Sequence, residues 1–120
     1  MHFKSLAIAF SFAICLQNAS AQEAQPDIQI VAQAYDRCMA TYAVRLARTP
    51  APDEAIYGEA TKSCSPLKDK LVEAIRQQVS PPEAAKILAS MDVSAKPNFL
   101  NMLNRIRSDR AKRESQLGTP

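Results

Sequence analysis

The chain has 120 residues, of which 15 are basic and 12 acidic, and its formal net charge is +3. A charge this close to balance gives no basis for general binding to nucleic acid or to a membrane surface. The only histidine is His2, and the only glycines are Gly58 and Gly118. Residues 22–120 therefore lack an imidazole for a catalytic triad or a metal site, and they lack a glycine-rich loop for phosphate.

Residues 1–21 have the three parts of a secretory signal peptide. A basic start at Lys4 is followed by the apolar run 5–16 and then by a small-x-small ending, Ala-Ser-Ala. The run is shorter than the roughly 20 apolar residues that cross a bilayer. We predict cleavage after Ala21 and export to the periplasm or the medium, with no transmembrane segment in the cleaved protein.

Two alternative interpretations of this N-terminal segment exist. An uncleaved amphipathic anchor is disfavoured, because the apolar run is apolar on every side and polar residues follow it at once. Lipidation at Cys15 is disfavoured because Ile14 stands where a small residue is expected before a lipidated cysteine.

The remaining residues are enough for one domain with its own hydrophobic core. We predict a flexible leader over 22–26, a single helical domain over 27–114 and a disordered tail over 115–120. No stretch sustains the alternation of a strand, and no internal repeat is evident. The predicted fold class is all-α, a small bundle of four to five helices.

The first predicted helix follows from a stripe of apolar residues between Ile28 and Leu46, in steps of three and four. It runs to about Arg48. The segment Thr-Pro-Ala-Pro over 49–52 ends it, because proline lacks the amide that a helix interior needs.

The second stripe begins after the acidic pair Asp53 and Glu54, whose charge suits a helix N-terminus, and continues to Val79. Pro66 interrupts it without changing its phase. Either one long helix is kinked there, or two helices meet, with Ser65 as the cap of the second. We favour a break or a sharp kink.

A capping-box sequence, Ser-Pro-Pro-Glu over 80–83, predicts the start of the next helix, which we expect to end near Asp92. Residues 93–96 are predicted to form a short connection. A last helix is predicted from about Pro97 to Glu114.

The segment from Ser80 to Asp92 reads Ser-Pro-Pro-Glu-Ala-Ala-Lys-Ile-Leu-Ala-Ser-Met-Asp and is followed by another predicted helix. It locally resembles the short helical repeats of magnesium-transporter N-terminal domains and of flagellar-motor helical domains, which serve as interaction and coupling modules. The similarity covers under a third of residues 22–120 and consists of a helix cap and an Ala-Ala-x-Ile-Leu stripe. It carries over no site residue.

Cys38 and Cys64 are expected to form a disulfide, because two cysteines of an exported protein usually pair. At the helical rise, Cys38 lies about 15 Å before Arg48, and Cys64 lies about 16.5 Å after Asp53. In an antiparallel hairpin of the first two helices the two cysteines would be level. The alternative, a redox-active pair, usually needs a C-x-x-C spacing at a helix start.

A group of basic residues near the C-terminus is a candidate for contact with lipid headgroups, anionic glycans or an acidic partner. The group consists of Arg105, Arg107, Arg110, Lys112 and Arg113. The favoured interpretation is a solvated helix end, where cations interact well with the helix dipole.

Other chemistry-bearing residues have structural interpretations. Three methionines could suggest soft-metal binding, but they fall on three predicted helices and are expected to fill the core. They are Met39, Met91 and Met102.

Tyr35 and Tyr42, with Arg45 nearby, either line a ligand groove or sit at the edge of the core. The carboxylates Asp53, Glu54 and Glu59 form a solvated first turn with no sign of a catalytic pair. No catalytic residue, cofactor or metal ligand is therefore predicted.

By elimination, the sequence favours a non-enzymatic interaction module of the cell envelope. Its partner would be another envelope protein, a folding client or the cell-wall surface, and no nucleic acid is expected. The alternative is a carrier of a small apolar ligand, such as a lipid or hydrophobic signal. A third interpretation is an enzyme that uses aspartate, glutamate or tyrosine chemistry. The oligomeric state is left open.

Overall fold

A computed structural model describes residues 26–118 of the chain. These residues form α1 (Ile28–Leu46), α2 (Asp53–Ser63), α3 (Ser65–Gln78) and α4 (Pro81–Leu117), with no strand between positions 26 and 118. The predicted all-α class is confirmed. The predicted signal peptide, the first four residues of the predicted leader and the last two residues of the chain lie outside the described residues.

The helix starts follow from local capping. The Asp27 carboxylate accepts a hydrogen bond from the backbone amide of Gln29 at 2.8 Å, at the start of α1. At the start of α4, the Ser80 hydroxyl accepts one from the amide of Glu83 at 3.4 Å. Both oxygens satisfy amides that have no partner inside the helix. The start of α4 predicted from the capping-box sequence is confirmed.

The break near Pro66 is real and lies at Cys64, which ends α2 and precedes α3. The carbonyl of Cys64 accepts hydrogen bonds from the amides of Leu67 and Lys68, both at 3.1 Å. Pro66 lies in the first turn of α3, where a missing amide costs nothing. The prediction of Ser65 as the cap is wrong, because Ser65 is already the first residue of α3.

The predicted connection over 93–96 is also wrong, because α4 is one helix that contains Pro97 and continues three residues beyond Glu114. A proline inside a helix costs about 3 kcal/mol through the lost hydrogen bond and a steric clash. Here the lost bond is the one to the carbonyl of Val93. Val93 is exposed, so water can bind that carbonyl. Burial of Phe99 and Leu103, just beyond the proline, favours continuing the helix.

The hydrophobic core has two parts, and α1 contributes to both. The first core has these buried residues: Met39, Ala43, Ala47, Ile56, Ala60, Cys64, Phe99 and Leu103. The second core has Leu71, Ile75 and Ala84 at its centre. Tyr35 packs against both. One half of α1 is therefore covered by α2 and the C-terminal half of α4, and the other half by α3 and the start of α4.

Polar contacts fasten α2 to α4. The Arg107 guanidinium pairs with the Asp53 carboxylate and also donates to the carbonyl oxygen of Ala51 at 3.2 Å. Lys96 pairs with Glu54 at 2.7 Å. The two acidic residues predicted to form a solvated first turn are therefore paired with cations on α4.

We expect Asp53 and Arg107 to be coupled energetically, since both are partly shielded and the guanidinium has a second acceptor. A double-mutant cycle with D53N and R107Q should give a coupling of about 0.5–1 kcal/mol from urea unfolding curves. The matched cycle with E54Q and K96Q removes a more exposed pair and should give less. A coupling for Asp53 and Arg107 no larger than that of the control pair would contradict this prediction.

Candidate functional site

A groove of about 430 Å³ runs between α1, α3 and α4. It is lined by Ala32, Tyr35, Asp36 and Met39 of α1, Lys68 and Leu71 of α3, and Met91, Asp92, Ser94, Ala95, Asn98, Phe99, Met102 and Arg105 of α4. Most of its lining surface is apolar, with charged side chains among it. We call it the methionine groove, because all three methionines that follow residue 21 line it.

The long wall of the groove is one face of α4. Its residues Met91, Ala95, Asn98, Met102 and Arg105 follow each other in steps of three and four, which places them on one side of the helix. From the first to the last, this face extends about 21 Å along the helix axis. The continuity of α4 through Pro97 therefore determines the length of the groove.

Two of the three methionines lie far apart on the groove wall. Met91 and Met102 lie about 16.5 Å apart along the axis of α4, which is too far for both thioethers to bind one ion. Among residues 26–118, no group of three or more His, Cys, Asp or Glu side chains could hold a metal either. Met39 is buried in the first core, while Met91 and Met102 are half-buried and pack against the two cores. Core packing therefore accounts for part of their role, and the groove wall for the rest.

Tyr35 is half-buried in the groove, and Tyr42 lies elsewhere. Loss of hydration on burial raises the pKa of Tyr35, and nearby Lys68 opposes this shift. Tyr42 lies beneath the guanidinium of Arg45, which is 4.5 Å from the ring centroid. A hydrogen bond with Ser63 and then the contact with Arg45 lower the pKa of Tyr42. Only Tyr35 of this pair is thus a groove residue.

These opposite shifts predict the order in which the two tyrosines ionise. In an ultraviolet titration of the phenolate band, Tyr42 should ionise below the ordinary pKa of about 10, and Tyr35 above it. The Y42F variant should lose the early part of the titration, and Y35F the late part. A late component that persists in Y35F would contradict the assignment.

The raised pKa of Tyr35 also makes the stability of the fold depend on pH in the alkaline range. Between about pH 10 and the raised pKa, the unfolded chain releases the phenol proton and the folded chain retains it. The contribution of Tyr35 to stability is therefore complete below about pH 10 and is lost as the pH rises through that window. Unfolding curves of Y35F should lack this part of the alkaline decline.

Charged residues flank the apolar lining. The ammonium of Lys68 lies 3.5 Å from the Asp92 carboxylate, and both side chains are substantially exposed. Asp36 and Arg105 are exposed and form no ion pair with another residue between positions 26 and 118. The carboxylates of the groove, Asp36 and Asp92, are therefore open to water.

The predicted disulfide partners lie in the first core, away from the groove. The sulfur atoms of Cys38 and Cys64 are at bonding distance, and their Cα atoms are 5.9 Å apart. Cys64 is fully buried, and Cys38 packs against the same core. The pairing predicted from the sequence is confirmed at disulfide distance.

The predicted C-terminal basic group is divided by the fold. Arg105 borders the methionine groove, Arg107 turns inward to Asp53, and Arg110 pairs with Glu114 at 3.0 Å. Lys112 is exposed, whereas Arg113 lies beside Arg48, which is in the turn after α1. Sequence reasoning missed Arg48, because its position at the end of the first predicted helix indicated only a helix end.

The chain matches no family model, no curated protein and no solved structure. The local resemblance of residues 80–92 to helical coupling modules therefore assigns no family. In the described part of the chain, none of the helices has the length and hydropathy needed to span a membrane.

Proposed function

We propose that this protein is a non-enzymatic interaction module of the cell envelope, which binds an apolar segment of another envelope protein or of a folding client in the methionine groove. The observation that carries the proposal is the groove itself, an open and largely apolar channel that no residue of the described chain fills. A face of about 21 Å accommodates roughly four turns of an amphipathic helix.

The methionines suit such a role. Methionine is unbranched and polarisable, so it adapts to differently shaped apolar partners. The charged residues at the groove favour a protein segment that carries charges of its own. Asp36 and Arg105 offer one anion and one cation to a partner that carries both kinds of charge.

The proposal includes an antiparallel hairpin of α1 and α2 as the rigid support of the groove. Two contacts support it: the Cys38–Cys64 pair joins the two helices away from their connection, and the side chain of Gln78 donates to the carbonyl of Pro26 at 2.5 Å. The first contact places the end of α2 beside the middle of α1, and the second places the end of α3 beside the start of α1. A disulfide-fastened support holds a binding surface in place.

Export through the signal peptide of residues 1–21 is part of the same proposal, and the Cys38–Cys64 pair supports it because disulfides persist in oxidising compartments. N-terminal sequencing of the protein recovered from the periplasm or medium should begin at Gln22. A first residue at Cys15 carrying lipid, or an unprocessed chain inside the cell, would contradict the predicted cleavage.

The groove is tested by photocrosslinking in intact cells. A photoreactive amino acid at Asn98, on the groove wall, should give a discrete adduct, whereas the same group at the exposed Ala85 of α4, outside the groove, should not. The crosslinked segment is then made as a peptide, and its affinity for the purified protein is measured.

Replacing Met102 by glutamate should weaken binding of that peptide about tenfold or more, because an unpaired carboxylate would be buried under it. Met102→Leu is the matched control and should bind like the unmodified protein. Equal adducts from positions 98 and 85, or a peptide that binds M102E unchanged, would overturn the proposal.

A second candidate, carriage of a small apolar ligand, is favoured by the volume of the groove. About 430 Å³ falls within the roughly 300–1,000 Å³ of small-molecule sites. Native mass spectrometry of the protein purified without detergent distinguishes the two candidates. A bound small molecule of constant mass, lost in M102E, would favour carriage over protein binding.

A further inference from the structure

A second surface of the molecule lies at the junction of α1 and α4. It consists of two adjoining shallow depressions that share Val44 and Arg48. On α1, residues 37, 41, 44 and 45 lie in helical steps, and Arg48 follows in the turn after the helix; on α4, residues 106, 110 and 113 also lie in helical steps. The two faces meet, so side chains separated by some 60 positions in the sequence form one surface.

Arginine dominates this surface. Its five arginines are Arg37, Arg45, Arg48, Arg110 and Arg113, which we call the arginine surface together with Val44 at its centre. Within the described residues, only Arg110 has an acidic partner, the exposed Glu114, and Arg45 lies over the ring of Tyr42. The surface therefore has a strong local positive charge, although the whole chain is nearly balanced.

Apolar side chains accompany the arginines. Val44 is 47% exposed and lies among the arginines of this surface. Ala47 and Ile106 lie beneath Arg48 and Arg113 in the same depression. Leu117 continues the α4 face by one more helical step and is 87% exposed. An exposed apolar centre within a basic rim is the pattern of a surface that contacts charge and hydrocarbon together.

We propose that the arginine surface binds the headgroup region of anionic phospholipid bilayers, with Val44 and Leu117 directed to the acyl boundary. The guanidinium group presents a planar fork of donors that matches phosphate oxygens, and it is more weakly hydrated than an ammonium. This surface lies on other residues than the methionine groove, so the bilayer contact is independent of the proposed function. It leaves the groove free for a partner at the membrane.

A different result is expected for variants of these arginines if the arginines only stabilise helix ends. Arg45 lies in the last turn of α1, and cations near a helix C-terminus stabilise it. If the arginines served only that purpose, neutralising them would lower the melting temperature and leave lipid binding unchanged.

The test is cosedimentation of the full protein, with its disulfide formed, with two kinds of vesicle. One kind is pure phosphatidylcholine, and the other contains phosphatidylcholine and phosphatidylglycerol in equal parts. The protein should sediment with the anionic vesicles, stay in solution with the neutral ones and be released by salt. Equal sedimentation with both kinds, or with neither, would overturn the proposal.

The variant R48Q/R110Q/R113Q should bind anionic vesicles about a hundredfold more weakly, since each basic residue near such a surface contributes roughly fivefold. The matched control K70Q/R76Q/K86Q removes the same charge from exposed positions elsewhere and should bind like the unmodified protein. V44D, at an exposed position, provides a variant that leaves the arginines and the core intact and should also lose binding. Equal loss in the triple variant and its control would overturn the proposal, as would unchanged binding in V44D.

Discussion

The C38A/C64A variant is expected to be about 3.5 kcal/mol less stable than the unmodified protein. The Cys38–Cys64 bridge closes a loop with a sequence separation of 26. In the chain-entropy description, a loop of that length gives about 3.5 kcal/mol. For a domain of this size the loss corresponds to a melting temperature lower by roughly 15–25 °C.

The measurement is urea unfolding followed by helical circular dichroism, with and without reductant. Reductant should bring the unmodified protein to the stability of C38A/C64A, and it should not affect the variant. The single variants C38A and C64A serve as further controls, since each also lacks the bridge. A loss below about 1 kcal/mol, or a variant that still responds to reductant, would show that the bridge contributes little.

The second large effect is expected at Leu103, which is fully buried where α4 crosses the first core. Leu103→Ala removes buried methyl groups and leaves a cavity, and such replacements cost about 2–5 kcal/mol. The same unfolding experiment measures the loss. Its slope with urea concentration should remain unchanged, because the surface exposed on unfolding is nearly the same.

Leu117→Ala is the matched control, because it is the same replacement in the same helix at a residue that is 87% exposed. It should change stability by no more than about 0.5 kcal/mol. Similar losses at positions 103 and 117 would contradict the packing of α4 against α1 and α2. A large loss at Leu103 alone would support the continuous helix that forms the groove wall.

Several helix boundaries could be predicted because their causes are local. The prolines at 50 and 52 end the first helix, the capping sequence at Ser80 begins the last, and both signals act within a few residues. The break near Pro66 was also indicated, but its position at Cys64 was not. A capping residue is chosen by backbone geometry, which residue types alone leave open.

The error at Pro97 has a different origin. A proline before a predicted helix is a strong local stop signal, and a short connection was the natural prediction. The structure continues α4 through it, because Phe99 and Leu103 are buried against the first core and Lys96 pairs with Glu54. Packing outweighs a local cost of about 3 kcal/mol when one helix buries residues on both sides of the proline.

The all-α class, the main apolar stripes and the pairing of Cys38 with Cys64 could be predicted from residue types alone, because they depend on periodicity and on there being two cysteines after residue 21. Which distant side chains meet could not be predicted in this way. The packing of the helices brings Met39 of α1 to the same groove as Met91 and Met102, and it places Arg48 and Arg113 at the same depression. The relative rotation and offset of packed helices set such meetings, and no local pattern in the chain encodes them.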